Sequence, residues 1–524
     1  MCLQRLPPPG LSSLAPTLVM HRSRLGRRAF IARSASVALI GLMGTSLQST
    51  KTLADDSSSD NFSEIAHSER GTIPFRVKVE LSVEGNLHLP KNAIVSKELA
   101  IGVPIRSKAS FTYDEQSFIG GNQTPGPPSG FIRYYQEAVA TTTIHQTQHQ
   151  LRLRPCPNGI IAVPSGNAEV LFAHDMLLSR EELDLLQFPV ASSRIDMLLP
   201  DFAEKPEETG VYQLDPDLLC SAFQLSQISS SKVTGEIQSR TDEILKMQFK
   251  GGLTGKSSQT NTELEMIGNL NFDVRLGTCT WLALGLREQR EISLAEPGFD
   301  LAATLTIQKT PLSAARPLPE TLPSRLEDIA PNKLFLEQQS QNLHFKLHTD
   351  RSWYMITDAP GLCTMRLIEG DQAIAQCDFR SPPRLAPGQI YSVEDFQADI
   401  SQKLGEQLDS LGEIDVTNGE LGNQILRIEA LGQAQQIPIR WIFIHFSDAS
   451  GRRLTATFTM ESGLSERFAD ADRQTTSSLR FTPLNSDDSG DSGSRKAPKT
   501  EAGQFSELKN SQNTDLKLQS GSID

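Results

Sequence analysis

His145 and His149 stand four residues apart, as do His344 and His348. On a helix that spacing puts two imidazoles on one face, and a glutamate after the first would complete a zinc-holding His-Glu-x-x-His. The intervening residues here are Gln-Thr-Gln and Phe-Lys-Leu, and both segments read as strands. A strand holds positions i and i+4 about 13 Å apart, too far for one ion. His174-Asp175 supplies two members of a hydrolytic triad, but no serine stands in a Gly-x-Ser-x-Gly elbow. His174 and Asp175 are therefore kept only as weak site candidates. Glu181, Glu182 and Asp184 resemble a general-acid cluster, yet they fall in the first turn of an expected helix, where the backbone dipole favours acids.

Other chemistries fare no better. Five cysteines follow residue 54, and none forms a Cys-x-x-Cys, so a structural zinc site is not expected. There is neither a phosphate-binding Gly-x-x-x-x-Gly-Lys loop nor a dinucleotide fingerprint, and no cofactor is expected. A formal charge of −13 opposes non-specific binding to nucleic acid, which needs a basic surface. No catalytic residue and no metal ligand is assigned.

The N-terminal stretch carries an address. Arg22, Arg24, Arg27, Arg28 and Arg33 crowd the front of a weakly apolar run, Ala35 to Leu47. That run falls short of the roughly 20 apolar residues a membrane helix needs. Thr52-Leu53-Ala54 places small residues at a cut site, completing a secretory signal with cleavage after Ala54. Arg27-Arg28 followed by Ala29-Phe30-Ile31 resembles the twin-arginine export signal. Because Pro7, Pro8, Pro9 and Pro16 precede the basic region, Met20 makes the more ordinary start. The expectation is export to the periplasm or beyond, with no stable membrane span after processing.

Alternation then dominates. In FRVKVELSVEG, Phe75, Val77, Val79, Leu81 and Val83 share one face opposite Arg76, Lys78 and Glu80, a half-buried antiparallel strand. Segments 262–292, turning near Asp273 to Gly277, and 299–310 repeat the pattern. Ser179 with Glu182 forms a capping-box signature for one helix. Five prolines between 311 and 331 read as a semi-rigid linker. Beyond it, Phe396, Ile400, Leu404 and Leu408 make a helical stripe that starts at Ser392 and stops at Gly412. In CTMRLIEGDQAIAQC, a three-residue loop would set Cys363 and Cys377 directly opposite, as a cross-strand disulfide or as two buried thiols. Trp281, Trp353 and Trp441 lie in apolar strands and read as core.

The stretch IPIRWIFIHFSDASGRRLTATFTMESGLSERFADADRQTTSSLRF resembles the C-terminal half of PsbP-like domains, and LHTDRSWYM resembles their opening strand with its tryptophan, Trp353. That resemblance, over about residues 342–481, implies an α/β/α sandwich around an antiparallel sheet and a non-catalytic role. The expected organisation is a signal (1–54), a disordered leader (55–70), a β-rich antiparallel domain (71–310), a linker (311–333), a PsbP-like α/β domain (334–484) and a disordered tail (485–524). The fold class is α+β. The function expected is an exported accessory or binding protein of the cell envelope, its partner an unidentified envelope protein or a lipid-like ligand. The alternatives are a secreted hydrolase with its site in 71–310, and a carrier of lipid or lipoprotein type.

Overall fold

The computed structural model describes residues 73–88, 102–119, 128–199, 210–257, 260–292, 297–369, 372–386, 389–418 and 423–483. The export signal with Arg27, Arg28 and Ala54, the leader and the tail lie outside the described residues. Strands make up about 58% and helices about 16% of what is described.

The first lobe begins with β1 (Phe75–His88), β2 (Val103–Phe118), β3 (Gly130–Ile144), β4 (Thr147–Arg152), β5 (Ile160–Ser165) and β6 (Ala168–Ala173). A two-residue β7 (Leu178–Ser179) leads into helix α1 (Arg180–Leu186), a 3₁₀ segment (Ser192–Leu198), β8 (Val211–Gln213) and helix α2 (Pro216–Phe223). Then come β9 (Gln227–Ser231), β10 (Thr234–Arg240), β11 (Ile244–Ser257), β12 (Thr260–Asp273), β13 (Thr278–Arg290) and β14 (Gly298–Pro311). Among the described residues these strands, β7 excepted, form one thirteen-stranded sheet in the order β6-β5-β3-β2-β1-β14-β13-β12-β11-β10-β8, with β4 on β3 and β9 on β11.

Period two decides its faces. Val77 and Val79, Phe111 and Tyr113, Leu264 and Met266, Leu282 and Leu284, and Leu305 and Ile307 are all buried on one face. Lys78, Glu80, Arg106, Lys108, Lys246, Lys250, Glu263 and Glu265 are exposed on the other. Each buried aliphatic side chain contributes about 1.5–3 kcal/mol, so the register cannot slip by one residue without inverting the sheet.

The apolar face wraps around α1, the 3₁₀ segment and α2. Ser193 of that segment donates to Glu169 on β6, while Asp196, three residues on, accepts from the Cys279 amide (2.6 Å) and the Thr278 hydroxyl (2.9 Å) on β13. Six strand steps separate β6 from β13, about 29 Å across a flat sheet at ~4.8 Å each. A seven-residue 3₁₀ segment spans only about 14 Å. The sheet must curl for both contacts to exist, and the helical insert fills the hollow as a plug.

The Pro-rich segment packs along the first lobe. The Leu312 amide donates to the Pro74 carbonyl (2.8 Å), Tyr134 donates to the Pro317 carbonyl (3.2 Å), and Ile329 is buried beside Phe118, Ile132 and Phe172.

The second lobe opens with β15 (Leu336–Ser340), β16 (Phe345–Thr349), β17 (Trp353–Ala359), β18 (Leu362–Glu369) and β19 (Gln372–Arg380). Helix α3 (Val393–Leu404), β20 (Leu408–Asn418), β21 (Gln424–Ala434), β22 (Ile437–Ser447) and β23 (Arg453–Glu461) follow. The short α4 (Ser465–Phe468), α5 (Ala471–Ser477) and β24 (Arg480–Phe481) end it. A seven-stranded sheet runs β17-β18-β19-β23-β22-β21-β20, and a four-stranded one runs β24-β16-β15-β7.

This overturns the PsbP-like α/β/α sandwich and the α+β class built on it. One face of the seven-stranded sheet carries a helix, α3, through Phe396, Ile400 and Leu404. The opposite face is covered largely by the smaller sheet, whose Phe345 and Leu347 pack on Trp353, Met365 and Phe379. The helices there are only four and seven residues long. LHTDRSWYM does not form one opening strand: β16 ends at Thr349 in the small sheet, and β17 begins the large one at Trp353.

Three local expectations also change. Helix α3 stops at Leu404 because Gly405 takes φ 53°, and Leu408 already belongs to β20. Cys363 faces Phe379 and Cys377 faces Met365: Glu369 pairs with Gln372, leaving a two-residue connection that shifts the register by one, and the extra residue Ile374 shifts it by one more as it bulges β19 between Ala373 and Ala375. The two cysteines are diagonal neighbours, both buried, and no disulfide joins them. Trp281 lies on the outward, half-buried row of β13, whereas Trp353 and Trp441 are core.

Candidate functional site

The site grows out of β13. Its inward row runs Leu282, Leu284, Leu286 and then, without a change of period, Glu288 and Arg290, both almost fully buried. Thr262 on the neighbouring β12 donates to Glu288 Oε1 (3.0 Å), and Arg290 donates to the same oxygen from Nε (3.1 Å) and Nη2 (2.6 Å). The Arg290 guanidinium lies 4.9 Å from the centre of the Phe299 ring, whose π face attracts it.

This pair borders a cavity of about 50 Å³ between sheet and plug. The sheet contributes Leu81, Val83, Ile105, Ser107, Ser257, Leu264, Leu301 and Ala303. The plug contributes Gln187, Phe188 and Pro189 after α1, and Phe223, Gln224 and Leu225 at the end of α2. Two local signals place them. The Ser179–Glu182 capping box starts α1, Ser179 Oγ accepting from the Glu182 amide (3.1 Å) while the Glu182 carboxylate accepts from the Ser179 amide (2.9 Å). Gln224 ends α2 in a left-handed conformation and its side-chain amide donates to the Phe188 carbonyl (3.4 Å), tying the plug's two ends together. Ser107 is hydrogen-bonded to Thr142 (2.7 Å). Ser257 Oγ is buried and, among the described residues, has no hydrogen-bond partner.

A second charged cluster lies elsewhere on the same face. Arg133 donates to Glu115 (2.8 Å) and makes a 3.0 Å ion pair with Glu169. Ser192 donates to Glu115 (2.6 Å) and accepts from Tyr113 (2.8 Å), while Ser193 donates to Glu169. Burial drives the Glu169 carboxyl upward, but Arg133, Arg194 and Ser193 outweigh it and hold the group below the ordinary carboxylate range. Burial, reinforced by Glu115, pushes the Tyr113 hydroxyl well up, so it stays protonated as a donor. This cluster fastens the plug to β2, β3 and β6.

The residues singled out from the sequence fall outside both clusters. His174 follows β6, and its carbonyl accepts from Lys333 (3.0 Å). Asp175 accepts from Asn158 (3.1 Å), and neither residue lines the cavity. His145 occupies the β3–β4 turn and His344 the β15–β16 turn, both at φ 52°, so neither four-residue pair lies along one strand. Among the described residues, no three His, Cys, Asp or Glu side chains come together to hold a metal. In the second lobe the sequence reading passed over His445. Arg453 Nε donates to its Nε2 (2.9 Å) and Tyr391 packs on its ring (4.6 Å). Burial, then Arg453, lowers this imidazole to about 4.

No protein-family model and no curated protein matches the chain. Solved structures similar to it include OccK5 (OpdH) of Pseudomonas aeruginosa, at 9% identity over 74% of this chain and 96% of that one, TM-score 0.11. A BenF-like porin from Pseudomonas fluorescens Pf-5 gives 6%, 74%, 97% and 0.11. The outer membrane protein OprD of Pseudomonas aeruginosa gives 9%, 75%, 94% and 0.10. Outer-membrane and porin structures, not accessory domains, are what the chain is matched with. The expectation of an exported accessory or binding protein is therefore withdrawn, with its hydrolase and lipid- or lipoprotein-carrier alternatives. Superpositions this loose fix no common fold, and no activity is taken from them. A strand barrel in a bilayer shows an apolar outward band, whereas the outward row here carries Lys78, Glu80, Lys246, Glu263 and Glu265. Among the described residues, no helix is long and apolar enough to cross a membrane.

Proposed function

We propose that the chain serves transport in the cell envelope, taking one small organic solute into the hollow between the curled sheet and its plug. One observation carries this reading: a largely apolar cavity with a polar floor, Glu288, Arg290 and Ser257, walled on one side by a regular sheet and on the other by short helices and turns. A hollow lined mainly by apolar groups with a few convergent polar ones is the usual form of a small-molecule site. The polar outward face supports a chamber immersed in water. The basic, weakly apolar stretch with Arg27-Arg28 supports action outside the cytoplasm, by the twin-arginine route.

The test uses the processed chain and a neutral solute of a few heavy atoms, radiolabelled acetone. Equilibrium dialysis is expected to show one saturable site. Ala303→Trp, which fills the cavity from β14, is expected to abolish it. Absence of a saturable site in the unaltered chain, or its survival in the filled variant, overturns the proposal.

A further inference from the structure

We infer that the outward face of the large sheet carries a second site, apart from the chamber, that binds a neutral oligosaccharide. A groove of about 670 Å³ opens there across β2, β1, β14 and β13. Register sets its lining. Side by side on the outward row stand Thr143, Arg106, Glu84, Ala302 and Arg287, one from each of β3, β2, β1, β14 and β13. Ala302 offers only a methyl group, so a gap of two strand steps, about 9.6 Å, lies between two charged pairs. On one side Arg106 stands 3.7 Å from Glu84. On the other, Arg287 donates to Asp300 from Nε (3.2 Å) and Nη2 (3.0 Å), and Gln289 donates to the same acid (3.2 Å).

That pattern selects the ligand. An anion drawn to the arginines meets Glu84 or Asp300, and a cation drawn to the acids meets Arg106 or Arg287. A hydroxyl both donates and accepts, so neighbouring hydroxyls are served by an arginine and its acid together. A sugar ring, with hydroxyls on its rim and C–H groups on its faces, matches the charged sides and the Ala302 floor at once. A cavity of about 150 Å³ holds one benzene ring, so the groove has room for more than one ring. The outward row of β13 extends the track: beyond Arg287 come Gly285, Ala283 and then Trp281, half-buried and about 20 Å from Arg287. Thr304, Thr306 and Gln308 lie exposed beside this row on β14. The indole of Trp281 offers the C–H face of a further ring a flat apolar surface.

The experiment is isothermal titration of the processed chain at pH 8 with hexamers of β-1,4-glucose, α-1,4-glucose, β-1,3-glucose, β-1,4-mannose, β-1,4-xylose and β-1,4-N-acetylglucosamine, and with hexagalacturonate as the acidic counterpart. At least one neutral hexamer is expected to bind about tenfold more tightly than hexagalacturonate. Its arrival is expected to shield Trp281 from acrylamide quenching, Trp353 and Trp441 being buried already. Ala302→Phe fills the floor at an exposed position and is expected to weaken binding about tenfold while leaving acetone retention unchanged. Trp281→Ala is expected to weaken the hexamer but not the matching disaccharide. Binding by none of the six, equal binding of hexagalacturonate, or a hexamer affinity unaltered by either substitution overturns the inference and leaves the chamber reading untouched.

Discussion

Two places on the inner face of the large sheet bury acids against an arginine, and they behave differently. Around Arg133, the partners Glu115, Glu169, Ser192, Ser193 and Tyr113 converge from three strands and the plug, in contact on every side. Around Arg290, Glu288 accepts from the guanidinium and from Thr262, and both charged side chains border a cavity. The same chemistry is mortar in one place and the floor of a container in the other. What separates them is the neighbouring void, not the residue types.

The largest test of this contrast is Arg133→Met, which strands two carboxylates in a dry interior. Removing one member of a buried pair costs about 3–5 kcal/mol, read as a lower urea midpoint at unchanged slope. A loss under about 1 kcal/mol would show that the cluster does not fasten the plug. Next comes Glu288→Gln, expected to cost about 2 kcal/mol, less than the first because water in the cavity can solvate the arginine left behind. Equal losses at the two positions would erase the distinction drawn between them.

A third test uses pH, with the second lobe as an independent reference. His445 is held near 4 when folded, against an ordinary 6.5. Between those values the unfolded chain binds the extra proton, so stability is full above about pH 7 and falls as pH drops toward 4. By pH 5 the loss is about 2 kcal/mol, and calorimetry on His445→Gln should show a flatter profile over that window. An identical profile in that variant assigns the acid sensitivity elsewhere. The smallest effect belongs to Arg316→Ala at the rim, where the guanidinium shares Asp114 with Arg76 (3.1 Å and 2.8 Å) and is half exposed. Screened pairs of this kind contribute about 0–1 kcal/mol, and the melting temperature should barely move in 0.5 M salt.

Elements with strict alternation were legible in the sequence. The faces of β1, β12 and β14 follow from their period, and the α1 capping box from two residues at fixed spacing. The wrapping of the sheet was not legible, because it depends on Ser193 and Asp196 reaching strands remote from each other in the sheet order. The cysteine register failed by two steps, one from the two-residue connection between Glu369 and Gln372 and one from the bulged Ile374, which no spacing rule announces. The cavity floor was missed for a different reason. LREQREI looks like a solvated strand end, yet carrying the period on from Leu282 and Leu286 puts Glu288 and Arg290 inside. That signal was present, and charge concealed it.

The two residue pairs joining β7 to β15, Leu178 with Leu336 and Ser179 with Glu337, bear on how the molecule comes apart. They splice a scrap from the middle of the first lobe into the small sheet of the second, while Arg351 donates to the carbonyls of Leu171 (2.6 Å) and Leu334 (2.8 Å). A protease nicking the chain among the prolines should therefore leave two fragments that travel as one through a sizing column. The late-made half of the polypeptide must wait for the early half to offer that scrap before its own edge can be finished.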